Sequence, residues 1–398
     1  MTNAVKHPAI EPAANRDTGL APDLVAGVAP VPSTTSPTPA IPPIPPIRHG
    51  GNLLAAVRRY GRPAAAWLDL STGINPDGYP VPLLPADVWQ RLPQDNDGLA
   101  EIAAQAYGAP HALPVAGSQA AIRTLPRLLA PGRVGMAALG YSEYAPAFAQ
   151  AGHTVVPLTE ADFAHDNLVE GLDHLVVVNP NNPTARLLPA DTLLRWHAQL
   201  SARGGTLIID EAFMDGVVTP PLATPSAPSL ATPLAASLAA RADAPGLVVL
   251  RSIGKFYGLA GLRCGFVLAA PDLLAALAEQ LGHWTVSGPA RAVAQLALTD
   301  TAWHAATWAR LATAGQRLAM LLRDHGLTPV SQPLFSWVPT PHAAALHEAL
   351  AREGVWTRLF DAAGDCPPSL RLGLPPDDDA AWQRLDRALA AAIRALES

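Results

Sequence analysis

Short apolar runs and amphipathic stretches take turns along most of this 398-residue chain. The β-rich runs at Val134–Ala138, Leu175–Val178, Thr206–Ile209, Leu247–Leu250 and Phe266–Ala269 predict strands. Between them, Gln119–Leu129, Glu143–Gln150, Ala190–Ala202 and Pro271–Leu281 predict helices. Strand and helix in turn predict an α/β fold, with a mostly parallel central sheet and helices on both faces. Beyond about Pro289 the pattern changes. A long helix, a strand at Leu334–Pro339, a helix at His342–Glu353 and strands near Val355–Leu359 and Ser369–Leu374 predict a smaller α+β C-terminal domain.

Two stretches break the alternation. Residues 1–47 are dominated by Pro, Ala, Thr and Ser and end in Ile41-Pro42-Pro43-Ile44-Pro45-Pro46-Ile47. Such a composition favours extended, solvated backbone and builds no core, so a disordered arm is expected. Thr219 to Pro245 repeats the character and reads as a long low-complexity surface insertion. The domain expectation is therefore an arm at 1–47, an N-terminal segment plus large domain at 48–288, and a small domain at 289–398.

Composition narrows the classes. The chain is 49% hydrophobic and 15% charged, with a formal net charge of -6, which argues against a dedicated nucleic-acid binder. Its two cysteines, Cys264 and Cys366, are far apart and form neither a metal spacing nor a disulfide framework. A reducing, cytoplasmic setting is the expectation. No apolar run approaches the about 18 residues of a membrane span, and no basic region leads into an apolar stretch as in a secretory signal.

The chemistry concentrates after Leu247–Leu250, in Arg251-Ser252-Ile253-Gly254-Lys255-Phe256-Tyr257-Gly258-Leu259-Ala260-Gly261-Leu262-Arg263. A lysine amine forms a Schiff base with an aldehyde. Ser252 and Arg263 beside it offer a hydroxyl and a two-pronged cation to a phosphate. An aldehyde anchor next to phosphate ligands is what pyridoxal phosphate requires.

Other segments carry two readings each. Asp210, at the carboxyl end of an apolar run, stands where open α/β sheets bind ligands and could keep a pyridine nitrogen protonated; it could equally cap a helix. In Asn179-Pro180-Asn181-Asn182-Pro183-Thr184, Asn182 is placed to donate to a ring hydroxyl, or the segment is an ordinary turn. Gly117-Ser118-Gln119 opens a helix and offers amides to a phosphate, or is a plain cap. Tyr141 could stack on a planar ring, while Tyr144 reads as core. His49-Gly50-Gly51-Asn52 allows close backbone approach to an anion, with a surface histidine as the alternative. Arg358 and Arg371, on the late strand patterns, suit a substrate with a carboxylate and a phosphate, or are surface arginines.

Taken in order, Gly-Ser-Gln, the Tyr141 segment, Asn-Asn-Pro-Thr, Asp-Glu-Ala-Phe, Ser-x-x-Lys and Arg263 resemble the fold-type I pyridoxal-phosphate enzymes of the aspartate aminotransferase superfamily. The resemblance runs from about His49 to the C-terminal region. His49-Gly50-Gly51-Asn52, followed by Leu70-Ser71-Thr72-Gly73-Ile74-Asn75-Pro76-Asp77-Gly78, is similar to the opening of the cobalamin-pathway threonine-phosphate decarboxylases. It implies pyridoxal 5′-phosphate as cofactor, decarboxylation of L-threonine O-3-phosphate, and a homodimer. By this resemblance Lys255 holds the cofactor aldehyde and moves protons, Asp210 pairs with the pyridine nitrogen, Asn182 contacts the 3′ oxygen and Tyr141 stacks. Gly117, Ser118, Gln119, Ser252 and Arg263 hold the cofactor phosphate. Arg371 binds the substrate carboxylate, and His49, Gly50 and Arg358, with Asn75 nearby, bind the substrate phosphate. An aminotransferase of the histidinol-phosphate type is the alternative, and a non-enzymatic cofactor-sensing regulator a third; the Pro-rich start lacks the basic helical domain a regulator carries. Two departures weaken the transaminase reading. Phe213 stands where many aminotransferases have a tyrosine, and Leu92 where the histidinol-phosphate enzymes have one that reaches a neighbouring subunit.

Overall fold

The structure, a computed structural model, describes residues 50–217 and 237–397. The Pro-rich arm, His49 and most of the expected insertion lie outside the described residues.

A seven-stranded sheet is built from β1 (Leu113–Val115), β2 (Arg133–Ala137), β3 (Thr154–Leu158), β4 (His174–Val178), β5 (Thr206–Asp210), β6 (Leu247–Ser252) and β7 (Gly265–Ala269). Its order is β1-β7-β6-β5-β4-β2-β3. The strands from β6 to β3 run parallel, and β7 is antiparallel to both its neighbours. Every residue of β4, β5, β6 and β7 is buried, as continuous apolar runs require when both faces are covered. Alternate residues pack to opposite sides. Val176, Val178, Ile208, Val248 and Leu250 meet Ile122, Phe148 and Leu277 on one face. Leu175, Val177, Leu207, Ile209 and Val249 meet Leu99, Leu193 and Trp196 on the other. The expected α/β class with a mostly parallel sheet stands.

The sequence pattern misses both edge strands, β1 and β3. Each contains a proline, Pro114 or Pro157, which weakens a strand signal and is tolerated at an edge, where one side of the ladder is unpaired.

A four-stranded antiparallel sheet follows: β8 (Val330–Gln332), β9 (Phe335–Pro339), β10 (Arg358–Phe360) and β11 (Ser369–Gly373), in the order β10-β11-β9-β8. Three details differ from expectation. The long helix is two, Gly288–Thr299 and Thr301–Asp324; Asp300 separates them and its side chain accepts from the Trp303 amide. The expected strand at 355–359 divides at Thr357. Val355–Trp356 pairs in parallel with Leu68–Asp69, so the N-terminal segment joins the C-terminal elements rather than the large sheet. Residues 237–245, read as the end of a surface insertion, carry Leu238, Ala239 and Ala242 into the core. Their small apolar side chains, masked by flanking prolines and polar residues, suit a packed turn.

Candidate active site

The topology brings the chemistry to one edge. The parallel strands β2, β4, β5 and β6 end at that edge, and β1 shares their direction through the antiparallel β7. Hence Gly117, Tyr141, Asn182, Asp210 and Ser252 all leave the sheet on the same side, and Arg263 enters β7 from it. Ligands bind at such carboxyl ends because the loops there diverge and leave a crevice. The crevice is lined by Gly50, Thr72, Tyr141, Asn182, Lys255 and Arg371 among others.

Lys255 sits in the turn between β6 and β7. Burial lowers its pKa to about 8, Arg371 and Arg263 push the same way, and Asp210 opposes them. A lysine so tuned is a usable nucleophile near neutral pH. Its Nζ lies 5.7 Å from the centre of the Phe213 ring, an apolar wall that has no proton to exchange with it.

Asp210 is 4% exposed. Tyr144 donates to its Oδ2 at 2.9 Å and the Ala212 amide to its Oδ1 at 3.0 Å. Burial raises its pKa against these two bonds and the pull of Lys255. A desolvated carboxylate held by neutral donors is poised for a cation. Tyr144 was legible only as a core residue. It is buried, and it also orients Asp210.

Tyr141 donates to Gln119 Oε1 at 3.1 Å, and Gln119 Nε2 donates to Glu143 Oε2 at 2.5 Å. Burial, helped by Asp210 and Glu143, raises the Tyr141 pKa to about 12, so its hydroxyl keeps its proton. The three asparagines of the β4 turn divide their work. Asn179 exchanges hydrogen bonds with Leu188, Asn181 donates to Leu139 and Thr184, and Asn182 is left facing the crevice.

Gly117 has φ +69, and a Cβ there would lie 2.7 Å from Arg263 Nη2. The glycine therefore serves both the backbone turn and the approach of the guanidinium. Arg263 also donates to the Ala260 carbonyl, and Ser252 Oγ accepts from the Gly254 amide at 3.2 Å. Ser252 pairs with Gly265 across the β6–β7 ladder, and a Cβ at Gly265 would lie 2.9 Å from the Ser118 nitrogen, so the Gly117–Gln119 turn, Ser252 and Arg263 border one cup.

Arg371 closes the opposite side. It donates to Asn182 Oδ1 and, at 2.6 Å, to the Ser71 carbonyl. Its Nε is buried with no hydrogen-bond partner among the described residues. Burial, then Arg358, lowers its pKa to about 9. Gly50 packs against it, since a Cβ there would lie 3.4 Å from Arg371 Nη2.

Asn75 is corrected. It does not line the crevice. Its Nδ2 donates to the Phe256 carbonyl at 2.8 Å, and its Oδ1 accepts from the Asp77 amide and from Arg310, so both ends of its amide are engaged by the chain away from the crevice. Thr72, Gly73 and Phe360, which do line the crevice, carry no signal in the sequence beyond standing beside residues that do.

The chain belongs to the aminotransferase class I and II family, whose pattern matches residues 96–389. Within it the chain is 51% identical over 344 residues to a threonine-phosphate decarboxylase of Pseudomonas aeruginosa, covering 86% of this chain and 97% of that protein. It is 40% identical over 361 residues to a threonine-phosphate decarboxylase of a Sinorhizobium species, covering 88% and 98%. Among solved structures, a histidinol-phosphate aminotransferase from Sinorhizobium meliloti in complex with pyridoxal-5′-phosphate matches with a TM-score of 0.71 at 22% identity, covering 91% of this chain and 99% of that one. At that identity the likeness is one of fold.

Proposed function

We propose that this protein is a pyridoxal-phosphate-dependent carboxy-lyase that converts L-threonine O-3-phosphate to (R)-1-amino-2-propanol O-2-phosphate, for the aminopropanol arm of cobalamin biosynthesis. The observation that carries the reading is the pair of cations, Arg358 and Arg371, lining one crevice with Lys255 in a chain half identical to threonine-phosphate decarboxylases.

The residues fit the cofactor. The desolvated Asp210 carboxylate suits a protonated pyridine nitrogen. The cup of Gly117, Ser118, Gln119, Ser252 and Arg263 suits a phosphate, and Tyr141 suits a ring face. Asn182 Oδ1 accepts from Arg371, which fixes the amide plane and leaves the Nδ2, its only donor, for the 3′ oxygen. Bound there, pyridoxal phosphate supplies an aldehyde for an amine and a conjugated ring that accepts the electron pair of a breaking bond.

The chain's own residues choose the bond. With the cofactor held there, a decarboxylase would need its own residues to present Cα–carboxylate, and not Cα–H, to the electron-accepting ring. Arg371 holds the carboxylate, and Arg358, with Gly50 and His49, holds the substrate phosphate. Fixing both ends sets the torsion at Cα, which is catalysis by orientation. With a pKa of about 8, Lys255 has roughly a tenth of its amine neutral at pH 7. Its Nζ is the group that moves protons at Cα. Phe213 offers no hydroxyl to compete with it.

The protein acts as a homodimer in the cytoplasm. Exposed Leu83, Trp89 and Leu92 on one segment suit cover by a second copy, and both cysteines are free. No helix among the described residues is long and apolar enough to cross a membrane. The test is incubation with L-threonine O-3-phosphate, with and without 2-oxoglutarate. CO2 release independent of the keto acid supports the reading; turnover that needs the keto acid and releases no CO2 replaces it with the aminotransferase.

A further inference from the structure

Residues 75–79 run as a strap along the turn that carries Lys255. The Asn75 amide donates to the Lys255 carbonyl at 3.0 Å, and the Tyr79 amide to the Tyr257 carbonyl at 2.8 Å. Between them, Asn75 Nδ2 donates to the Phe256 carbonyl at 2.8 Å. The two segments touch backbone to backbone, for a Cβ at Gly258 would lie 2.5 Å from the Gly78 Cα. A few residues earlier, the Ser71 carbonyl accepts from Arg371. One stretch of backbone therefore sets the positions of both Lys255 and the arginine across the crevice from it.

That stretch is gripped from behind. Arg310 lies on the helix Thr301–Asp324 and does not line the crevice. Its Nη1 donates to Asn75 Oδ1 at 3.3 Å and to Asp77 Oδ2 at 3.1 Å. Its Nη2 donates to Asn75 Oδ1 at 3.3 Å and to the Asp77 carbonyl at 2.9 Å. Asp77 Oδ2 also accepts from the Asp377 amide at 3.1 Å. A planar guanidinium fixes the plane of what it binds, as a lysine ammonium does not. With Asn75 Oδ1 held by Arg310, Asn75 Nδ2 is directed at Phe256. The charge-assisted bonds are stronger than those between neutral groups, so the fork is the firm end of the chain Arg310, Asn75, Lys255.

We propose that Arg310 is a positioning residue for Lys255, which by clamping Asn75 and Asp77 fixes the Lys255 turn relative to Arg371. The inference rests on Lys255 being the cofactor's amine, and not on which phosphorylated amino acid is the substrate. Removing the fork replaces no residue that lines the crevice and loosens the turn that carries Lys255.

The experiment uses Arg310→Met in the full-length protein saturated with pyridoxal phosphate. Amide hydrogen exchange is followed in the peptides covering 74–79 and 255–260, with β5 as the internal control. Exchange in those two peptides should quicken by about tenfold, the loss of one charge-assisted bond, while β5 is unchanged. The turnover number should fall by about tenfold, with KM within about twofold. The pH midpoint of the visible band of the lysine-bound cofactor should shift as well. Should that variant not fold, Arg310→Gln, which keeps a donor, should give a smaller change at the same amides. Unchanged exchange at 74–79 and 255–260, or equal quickening across the whole sheet, would overturn the proposal. Neither outcome depends on the substrate assignment, which the CO2 measurement tests separately.

Discussion

Arg358 stands directly opposite Arg371 in the antiparallel pair β10–β11, so two guanidinium groups share one face beside Lys255. Like charges opposite one another are unfavourable in a sheet. Among the described residues no carboxylate pairs with Arg371 to offset this; its partners are the Asn182 amide and the Ser71 carbonyl. On the proposed reading, a substrate with a carboxylate and a phosphate would offset the repulsion. Arg371→Ala should therefore raise KM for threonine phosphate by about ten- to a hundredfold, the cost of a charged hydrogen bond. Cofactor should stay bound, as seen by its visible absorption. Loss of cofactor with KM unchanged would contradict the assignment.

The depressed pKa of Lys255 gives a pH dependence with a definite sign. Capture of the cofactor aldehyde needs the neutral amine. Its rate should rise about tenfold per pH unit below about 8 and level off above it. Arg371→Ala removes a cation that lowers this pKa, so the break should move to higher pH. The same group affects stability. Between about 8 and the ordinary lysine value the unfolded chain binds more protons than the folded one. The cofactor-free protein should therefore gain stability from this lysine as pH rises through that window. Stopped-flow absorbance and urea unfolding at several pH values check the two statements.

Tyr144 should matter to the chemistry although it lies outside the crevice lining. Its hydrogen bond lowers the Asp210 pKa. Tyr144→Phe removes that bond, so Asp210 should take up a proton at higher pH than before. The acid limb of the turnover profile should move upward, and the turnover number should fall by about tenfold near neutral pH. An unmoved acid limb would show that Tyr144 serves packing alone.

Beneath the site, Arg251 bridges Glu211 at 2.7 Å and Asp215 at 2.5 Å, all three buried. Arg251→Met leaves two carboxylates in the core without their cation and should cost about 3–5 kcal/mol of stability. The loss should shrink as pH falls, because burial already raises Asp215 to about 6 and a protonated carboxyl needs no cation. Denaturant unfolding of the cofactor-free variant measures it, and an unchanged midpoint would contradict the account.

The sequence showed what local chemistry repeats. Lys255, Ser252 and Arg263 lie on one short segment, and Asp210 ends an apolar run, so their spacing and setting are visible in one dimension. The central strands were legible because continuous burial leaves continuous apolar runs; the edges β1 and β3 were not, because Pro114 and Pro157 interrupt theirs. The role of Asn75 is not legible because a motif does not say which way an amide points, and it points at Phe256. Tyr144 reads as core from its neighbours, and only the packing of its helix on the sheet beside β3 brings its hydroxyl to Asp210. Arg310 stands 235 residues from Asn75, a separation that no local pattern spans.

The central claim is that the bond to the carboxylate breaks, not the bond to hydrogen. Turnover of carboxyl-13C-labelled L-threonine O-3-phosphate in deuterated water tests it most directly. The account predicts labelled CO2 in amount equal to substrate consumed, and 1-amino-2-propanol O-2-phosphate with one solvent deuterium at the former Cα. Label retained in a keto acid, with amino transfer to 2-oxoglutarate, would contradict it.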